Sequence, residues 1–299
     1  MIVAVTGLTG FLGYFLAKSL CLNENIKIKA LVRESSNLNF LEDFREKISF
    51  VYGDLSNHQS LADLVNGADI VIHAAYYRES GLLFRGDIAD KRSFLDINLL
   101  GSHSLLENAK NSSVKQFIFI SSCAVFGYID PDLPLDEKHP LRPDSIYGAY
   151  KASVESMCHA YFLSHGLESV IFRPVAIYGK HPNPEKQRWQ TLINDIKDGK
   201  DVNVSSGGKI VHADEVVQAI MNALGNSSIA GNIYSLVDLF IDEIEIAETV
   251  KEITGSKSNI SGTRKVQKNV MINNMAKKLG VNFRGRSGLR NYINDILGG

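Results

Sequence analysis

Short apolar runs rich in β-branched residues recur along this chain, and between them apolar residues return every three or four positions. Runs at 2–5, 28–32, 49–52, 70–73, 117–121 and 169–173 read as buried strands. Stretches near 10–22, 59–65, 90–110 and 146–165 read as helices; Phe11, Phe15, Leu16 and Leu20 show the spacing in the first. This alternation predicts an α/β fold, a doubly wound parallel sheet wrapped by helices on both faces. Ligands in such sheets bind beyond the carboxyl ends of the strands.

After Arg173-Pro174 the rhythm changes. Pro182, Pro184 and the pair Gly207-Gly208 mark irregular segments, and short strands then mix with helices. Residues 211–224 read as a helix packing back on the sheet, and 232–237 as a returning strand. The expected organisation is a sheet domain of residues 1–173 plus about 209–237, with a small, discontinuous C-terminal lobe of about 174–208 and 238–299.

The totals narrow the function classes. The 299 residues are 44% hydrophobic and 22% charged, as in ordinary globular proteins. A net charge of −1 argues for neither nucleic acid nor an anionic membrane as partner. No apolar run approaches the roughly 20 residues of a membrane span. The chain enters a strand at once, so no secretory leader is expected. Cys21, Cys123 and Cys158 are scattered and odd in number, which suits a reducing compartment, with cytoplasm the default. The eight histidines lack metal-ligand spacing, so no catalytic metal is expected; His73 and His212 read as structural.

Two motifs carry the chemistry. Gly7, Gly10 and Gly13 link the first strand to the first helix in Thr6-Gly-Leu-Thr-Gly-Phe-Leu-Gly13. A strand, a glycine turn and a helix place a pyrophosphate on free backbone N–H groups at a helix N-terminus. The spacing is G-x-x-G-x-x-G, which differs from the G-x-G-x-x-G fingerprint. Further along, Tyr147 and Lys151 are four apart and share one helix face. A neighbouring cation favours the phenolate, which suits Tyr147 to general acid/base work on a hydroxyl. Ser122, at a strand end, has a hydroxyl able to hold the reacting oxygen. Tyr150 and Cys123 read as packing residues.

On these residues the chain resembles the extended short-chain dehydrogenases/reductases, in their NAD-dependent epimerase/dehydratase group. The likeness runs nearly end to end and includes Gly53-Asp-Leu55, His73-Ala-Ala75, Asn98, Ser121-Ser-Cys-Ala-Val-Phe-Gly127 and Arg173-Pro174. The resemblance implies a Rossmann domain with a small C-terminal substrate lobe, a Ser122–Tyr147–Lys151 triad, a small-molecule substrate and a homodimer. It places the cofactor along Gly7, Thr9, Gly10, Phe11, Leu12, Gly13, Asp54, Leu55, Ala74, Ala75, Lys151 and Pro174.

Departures from the group bear on the reaction. Dehydratases of the group resemble one another in a Thr-Asp-Glu run, where this chain has Ser122-Cys123-Ala124, so water elimination is not expected. The Arg-x-Gly-Asp element usual for a sugar-nucleotide diphosphate is missing from 263–269, although Arg264, Lys265 and Lys268 remain as candidate phosphate partners. The segment 76–86, with Arg78 and Arg85, is a candidate substrate loop. At the end of the second strand, Arg33 with Ser35 and Ser36 suits a 2′-phosphate, which favours NADP over NAD; Glu34 leaves NAD open. The sequence therefore favours an NADP-linked dehydrogenase/reductase acting at a hydroxyl or carbonyl carbon. A sugar-nucleotide epimerase with tightly held NAD is the alternative. A dinucleotide-sensing protein without turnover is the third reading, weakened because both Tyr147 and Lys151 are present.

Overall fold

The computed structural model describes residues 1–78 and 88–298. The first half runs β1 (Ile2–Thr6), α1 (Phe11–Cys21), β2 (Lys27–Val32), β3 (Ile48–Tyr52), α2 (His58–Val65), β4 (Ile70–His73), α3 (Lys91–Leu95), α4 (Gly101–Lys110) and β5 (Gln116–Ile120). It continues with α5 (Ile146–His165), β6 (Glu168–Pro174), β7 (Ala176–Tyr178), α6 (Gln190–Lys197), β8 (Val202–Val204), β9 (Gly207–His212) and α7 (Ala213–Ala223). The chain ends with β10 (Ile233–Leu236), β11 (Leu239–Asp242), α8 (Glu243–Thr254), β12 (Ile260–Gly262), α9 (Asn274–Lys278) and α10 (Gly285–Leu297).

Seven strands form one parallel sheet in the order β10-β6-β5-β4-β1-β2-β3. The order reverses between β1 and β4, so a crevice opens there beyond the strand ends. One face packs against α1 and α7 through Phe15, Leu16, Leu20, Val216 and Ile220. The other face takes Leu61 and Leu64 of α2, Leu105 and Leu106 of α4, and Val154 and Cys158 of α5. Because both faces are covered, β4 and β5 are buried at every residue, which is why they read as apolar runs apart from His73 and Gln116 at their ends.

The smaller lobe has a three-stranded sheet, β11-β9-β7, and a two-stranded sheet, β12-β8. Its core joins Ile193 and Ile196 of α6, Ile246 and Val250 of α8, and Leu289, Tyr292 and Ile293 of α10. The fold is thus the doubly wound sheet with a C-terminal lobe that the sequence predicts.

Two helical readings differ from the structure. The single helix expected near 90–110 is broken into α3 and α4 by a π turn, Asp96–Leu100, that carries the fully buried Asn98. The helix expected over 211–224 starts only at Ala213, because Val211 and His212 still belong to β9. His212 then caps α7: its Nδ1 accepts from the Asp214 N–H, and its own N–H donates to Glu215.

Candidate active site

The glycine turn is built tightly against the next strand. Gly7 has φ +83°, and a methyl group there would stand 2.6 Å from the Ala75 nitrogen. At Gly13 a methyl would stand 2.2 Å from the Gly7 carbonyl oxygen, so α1 can approach β1 only with glycine there. Gly10 caps α1 without a side-chain hydrogen bond, and no acid occupies the first turn. The opening N–H groups therefore remain available to an anion, as a dinucleotide pyrophosphate requires.

A buried hydrogen-bond chain fixes the other wall of this turn. Thr6 Oγ1 meets His73 Nδ1 at 2.7 Å, and His73 Nε2 meets Ser102 Oγ at 2.8 Å. Burial lowers the His73 pKa to about 3, with the Lys151 charge acting the same way, so the ring is neutral. Thr6 Oγ1 also accepts the Ala75 N–H at 3.2 Å. Asn98 holds Tyr77, two residues further on, by accepting its N–H at 2.6 Å and donating to its carbonyl at 3.0 Å. Asn98 stands among the residues that carry the family resemblance, but its clamp on Tyr77 was not legible in the sequence.

Ser122, Tyr147 and Lys151 converge beyond β5. Ser122 opens a short helical turn, Cys123–Phe126, and its Oγ accepts the Ala124 N–H at 3.2 Å. Ser145 caps α5 through its Oγ, so Tyr147 lies in the first turn. Gly148 brings the two turns together: a methyl there would stand 2.4 Å from the Ala124 carbonyl oxygen. Burial pushes the Tyr147 phenol above its ordinary range, while a side-chain hydrogen bond with Ser122 pulls it back. Tyr76 places its ring 5.4 Å from that of Tyr147.

Lys151 is almost fully buried, and its Nζ donates to the Ile120 carbonyl at 2.7 Å. The ammonium stands 4.6 Å from the Phe119 ring centre and 5.9 Å from that of Tyr147. Burial lowers its pKa to about 7, against the opposing charge of Glu155. Glu155 is in turn held by Arg173 and by the Ser121 hydroxyl. Cys123 donates to the Arg173 carbonyl and touches Met271, and burial raises its pKa to about 12. Tyr150 packs edge-on against Phe94.

The remaining predicted residues line the same strand ends. Arg33, Ser35 and Ser36 follow β2, Asp54 and Leu55 follow β3, Ala74 and Ala75 follow β4, and Pro174 ends β6. Asp54 is turned toward its own loop, accepting the Ser56 N–H and hydroxyl. Arg78 follows β4, whereas Arg85 and the rest of 79–87 lie outside the described residues. Among the described residues, no group of three or more histidine, cysteine or acidic side chains could hold a metal ion, and no helix is long and apolar enough to cross a membrane.

Residues 3–236 match the model of the NAD dependent epimerase/dehydratase family. The chain belongs to that family. A dTDP-D-glucose 4,6-dehydratase of Dictyostelium discoideum is 30% identical over 274 residues, 84% of this chain and 62% of that protein. The chain thus spans less than two thirds of that relative's length. In structure the chain resembles a dTDP-glucose 4,6-dehydratase from Streptomyces venezuelae with NAD bound, at 24% identity, TM-score 0.78, 98% of this chain and 96% of that one. It also resembles a UDP-glucuronic acid 4-epimerase from Bacillus cereus in complex with UDP-glucuronic acid and NAD, at 20% identity, TM-score 0.80 and 98% and 97% coverage. At these identities the structural likeness shows the fold.

The family corrects one expectation. Its members are NAD dependent and both solved relatives hold NAD, so the NADP preference read from Arg33, Ser35 and Ser36 does not stand. Local geometry supplies a physical reason. The Ser36 hydroxyl accepts the Arg33 N–H at 3.1 Å, and the Ser36 N–H donates to the Arg33 carbonyl at 2.9 Å. Arg33 itself is exposed to solvent, where its charge is screened, so an arginine beside two serines does not by itself select a 2′-phosphate.

Proposed function

We propose that the protein is an NAD-dependent enzyme acting on a nucleotide-linked sugar, of the epimerase type. The family match and the names of the relatives favour this over the free-standing reductase that the sequence suggested. The observation that carries it is the meeting of Tyr147, Ser122 and Lys151 beside the glycine cradle, with no carboxylate in the turn from Ser122 to Ala124.

Gly7, Gly10 and Gly13 would hold the NAD pyrophosphate, Asp54 and Leu55 would flank its adenine, and Ala74 and Ala75 would lie along it. Lys151 would hold the nicotinamide ribose. Bound NAD supplies a hydride acceptor and, afterwards, a hydride donor. Tyr147 takes the proton from the sugar hydroxyl as it is oxidised, and Ser122 orients that oxygen. The ketone stays in the crevice, turns its other face, and Tyr147 returns the proton. The Lys151 cation favours the phenolate form that this cycle needs.

A dehydratase is the second reading, favoured by the Dictyostelium and Streptomyces relatives. Elimination needs an acid for the departing hydroxyl. Ser122-Cys123-Ala124 offers no carboxylic acid, and burial makes the Cys123 thiol a weaker proton donor still. To test these readings, the nucleotide released from freshly purified protein is identified by mass spectrometry. The protein is then incubated with UDP-glucose, UDP-glucuronic acid and dTDP-glucose. Stoichiometric NAD and a C4-inverted sugar support the epimerase. A 4-keto-6-deoxy product identifies a dehydratase, and a sugar product formed only with consumption of added NADH identifies a reductase.

A further inference from the structure

The Lys151 ammonium is buried with few polar partners. Among the described residues its Nζ has one hydrogen bond, to the Ile120 carbonyl, and no ion pair. An ammonium has three protons to place. The neighbouring anion, Glu155, lies one turn along α5, but its oxygens are taken by the Arg173 guanidinium and the Ser121 hydroxyl. The other ionisable groups around Lys151 present no anion to it. His73 on β4 is neutral, and burial raises the Cys158 thiol and the phenols of Tyr147 and Tyr150 on α5 above their ordinary ranges. Tyr76, which follows β4, is raised likewise.

The surroundings of the ammonium are aromatic. It stands 4.6 Å from the Phe119 ring centre and 5.0 Å from that of Tyr150, with Tyr76 and Tyr147 each at 5.9 Å. A cation over a ring face within about 6 Å is attracted by the ring quadrupole, and more strongly where water is excluded. The two nearer rings are 0% and 1% exposed, so water is excluded here. Both are fixed by their neighbours. Phe119 lies in β5 and stacks on His73 at 5.6 Å, while Tyr150 meets Phe94 at 90°. One ring comes from the sheet and the other from α5, so they meet the ammonium together only because the helix packs on the sheet.

We propose that Phe119 and Tyr150 form an aromatic seat that keeps the Lys151 ammonium charged and in place, which makes Tyr150 a positioning residue of the reaction. Packing alone, the role the sequence suggested for Tyr150, needs only apolar volume; the seat needs the electron-rich ring face. This rests on the functional reading above, in which the Lys151 cation favours the Tyr147 phenolate and holds the nicotinamide ribose.

The full chain, isotope-labelled at lysine Cε and with NAD present, is titrated by NMR. The signal missing from Lys151→Met reports the Lys151 pKa. Wild type is compared with Tyr150→Phe and with phenylalanine at the same position carrying one, two or three ring fluorines, which drain the ring face at nearly constant size. Tyr150→Phe should stay close to wild type, because the ring remains. Each added fluorine should then lower the Lys151 pKa further, by about 0.5 to 1 pH unit across the series. A pKa that does not change with fluorine count overturns the proposal. So does a drop already complete in Tyr150→Phe, which would assign the role to the hydroxyl. Failure of the functional reading has a different signature: the pKa follows the fluorine count while the wild type converts no nucleotide-linked sugar.

Discussion

Glu155 and Arg173 form a two-pronged ion pair with a shortest contact of 2.6 Å, and their side chains are only 3% and 2% exposed. Arg173 is the penultimate residue of β6 and Glu155 lies one turn beyond Lys151 on α5, so the pair ties α5 to the sheet. Removing one partner leaves a buried charge without compensation. Arg173→Met is therefore expected to cost about 3–5 kcal/mol of stability. Combining it with Glu155→Gln should cost less than the sum of the two single changes, because each single change strands the other group. Urea denaturation of the four proteins checks this, and strict additivity would refute the coupling.

Tyr147→Phe removes the hydroxyl proposed to carry the proton and leaves the glycine cradle untouched. Turnover should fall by about 100-fold or more while the NAD dissociation constant changes little. Parallel losses of turnover and NAD binding would show that Tyr147 acts by holding the cofactor.

Gly148→Ala tests how Tyr147 reaches Ser122. The added methyl would meet the Ala124 carbonyl oxygen at 2.4 Å and force α5 away from the serine turn. Expected is a loss of kcat of tenfold or more with NAD still bound, since a displacement near 1 Å costs about that much or more. Wild-type kcat in this variant would mean that the close approach is unimportant.

Lys151 links stability to pH. Its pKa is lowered from 10.5 to about 7 in the folded protein by burial, so between those values the unfolded chain binds the extra proton. Stability then rises with pH through that window, and the penalty of burying the cation is fully present below about 7. Lys151→Met lacks that penalty, so its advantage over wild type should be largest at pH 6 and shrink by pH 9. Denaturation curves at several pH values provide the measurement; a constant difference would contradict the assigned burial effect.

Asn98→Ala removes both hydrogen bonds to Tyr77 and one to the Phe94 carbonyl. The buried partners left behind should cost about 1–3 kcal/mol. NAD affinity should also drop, because Ala74 and Ala75 sit on the strand end that this clamp secures. An unaltered NAD affinity beside the lost stability would confine Asn98 to a structural role.

Much of this molecule was legible in local pattern. Strands covered on both faces are mostly apolar, so β1, β4 and β5 could be read directly from composition along the chain, apart from the buried Thr6, His73 and Gln116 at their ends. The spacing of Gly7, Gly10 and Gly13, and the one-turn separation of Tyr147 from Lys151, are also local, because they depend on backbone geometry within a single turn or helix. Long-range contacts left no such trace. The break at Asn98 arises because that side chain reaches across to Tyr77, 21 residues away. The phosphate preference read from Arg33 failed because that side chain stands exposed to solvent, which residue types alone do not show. The buried pair of Glu155 with Arg173 depends on which helix packs against which strand. Residue order determined the elements and the chemistry they carry, while tertiary packing decided which charges were paired and which pKa values moved.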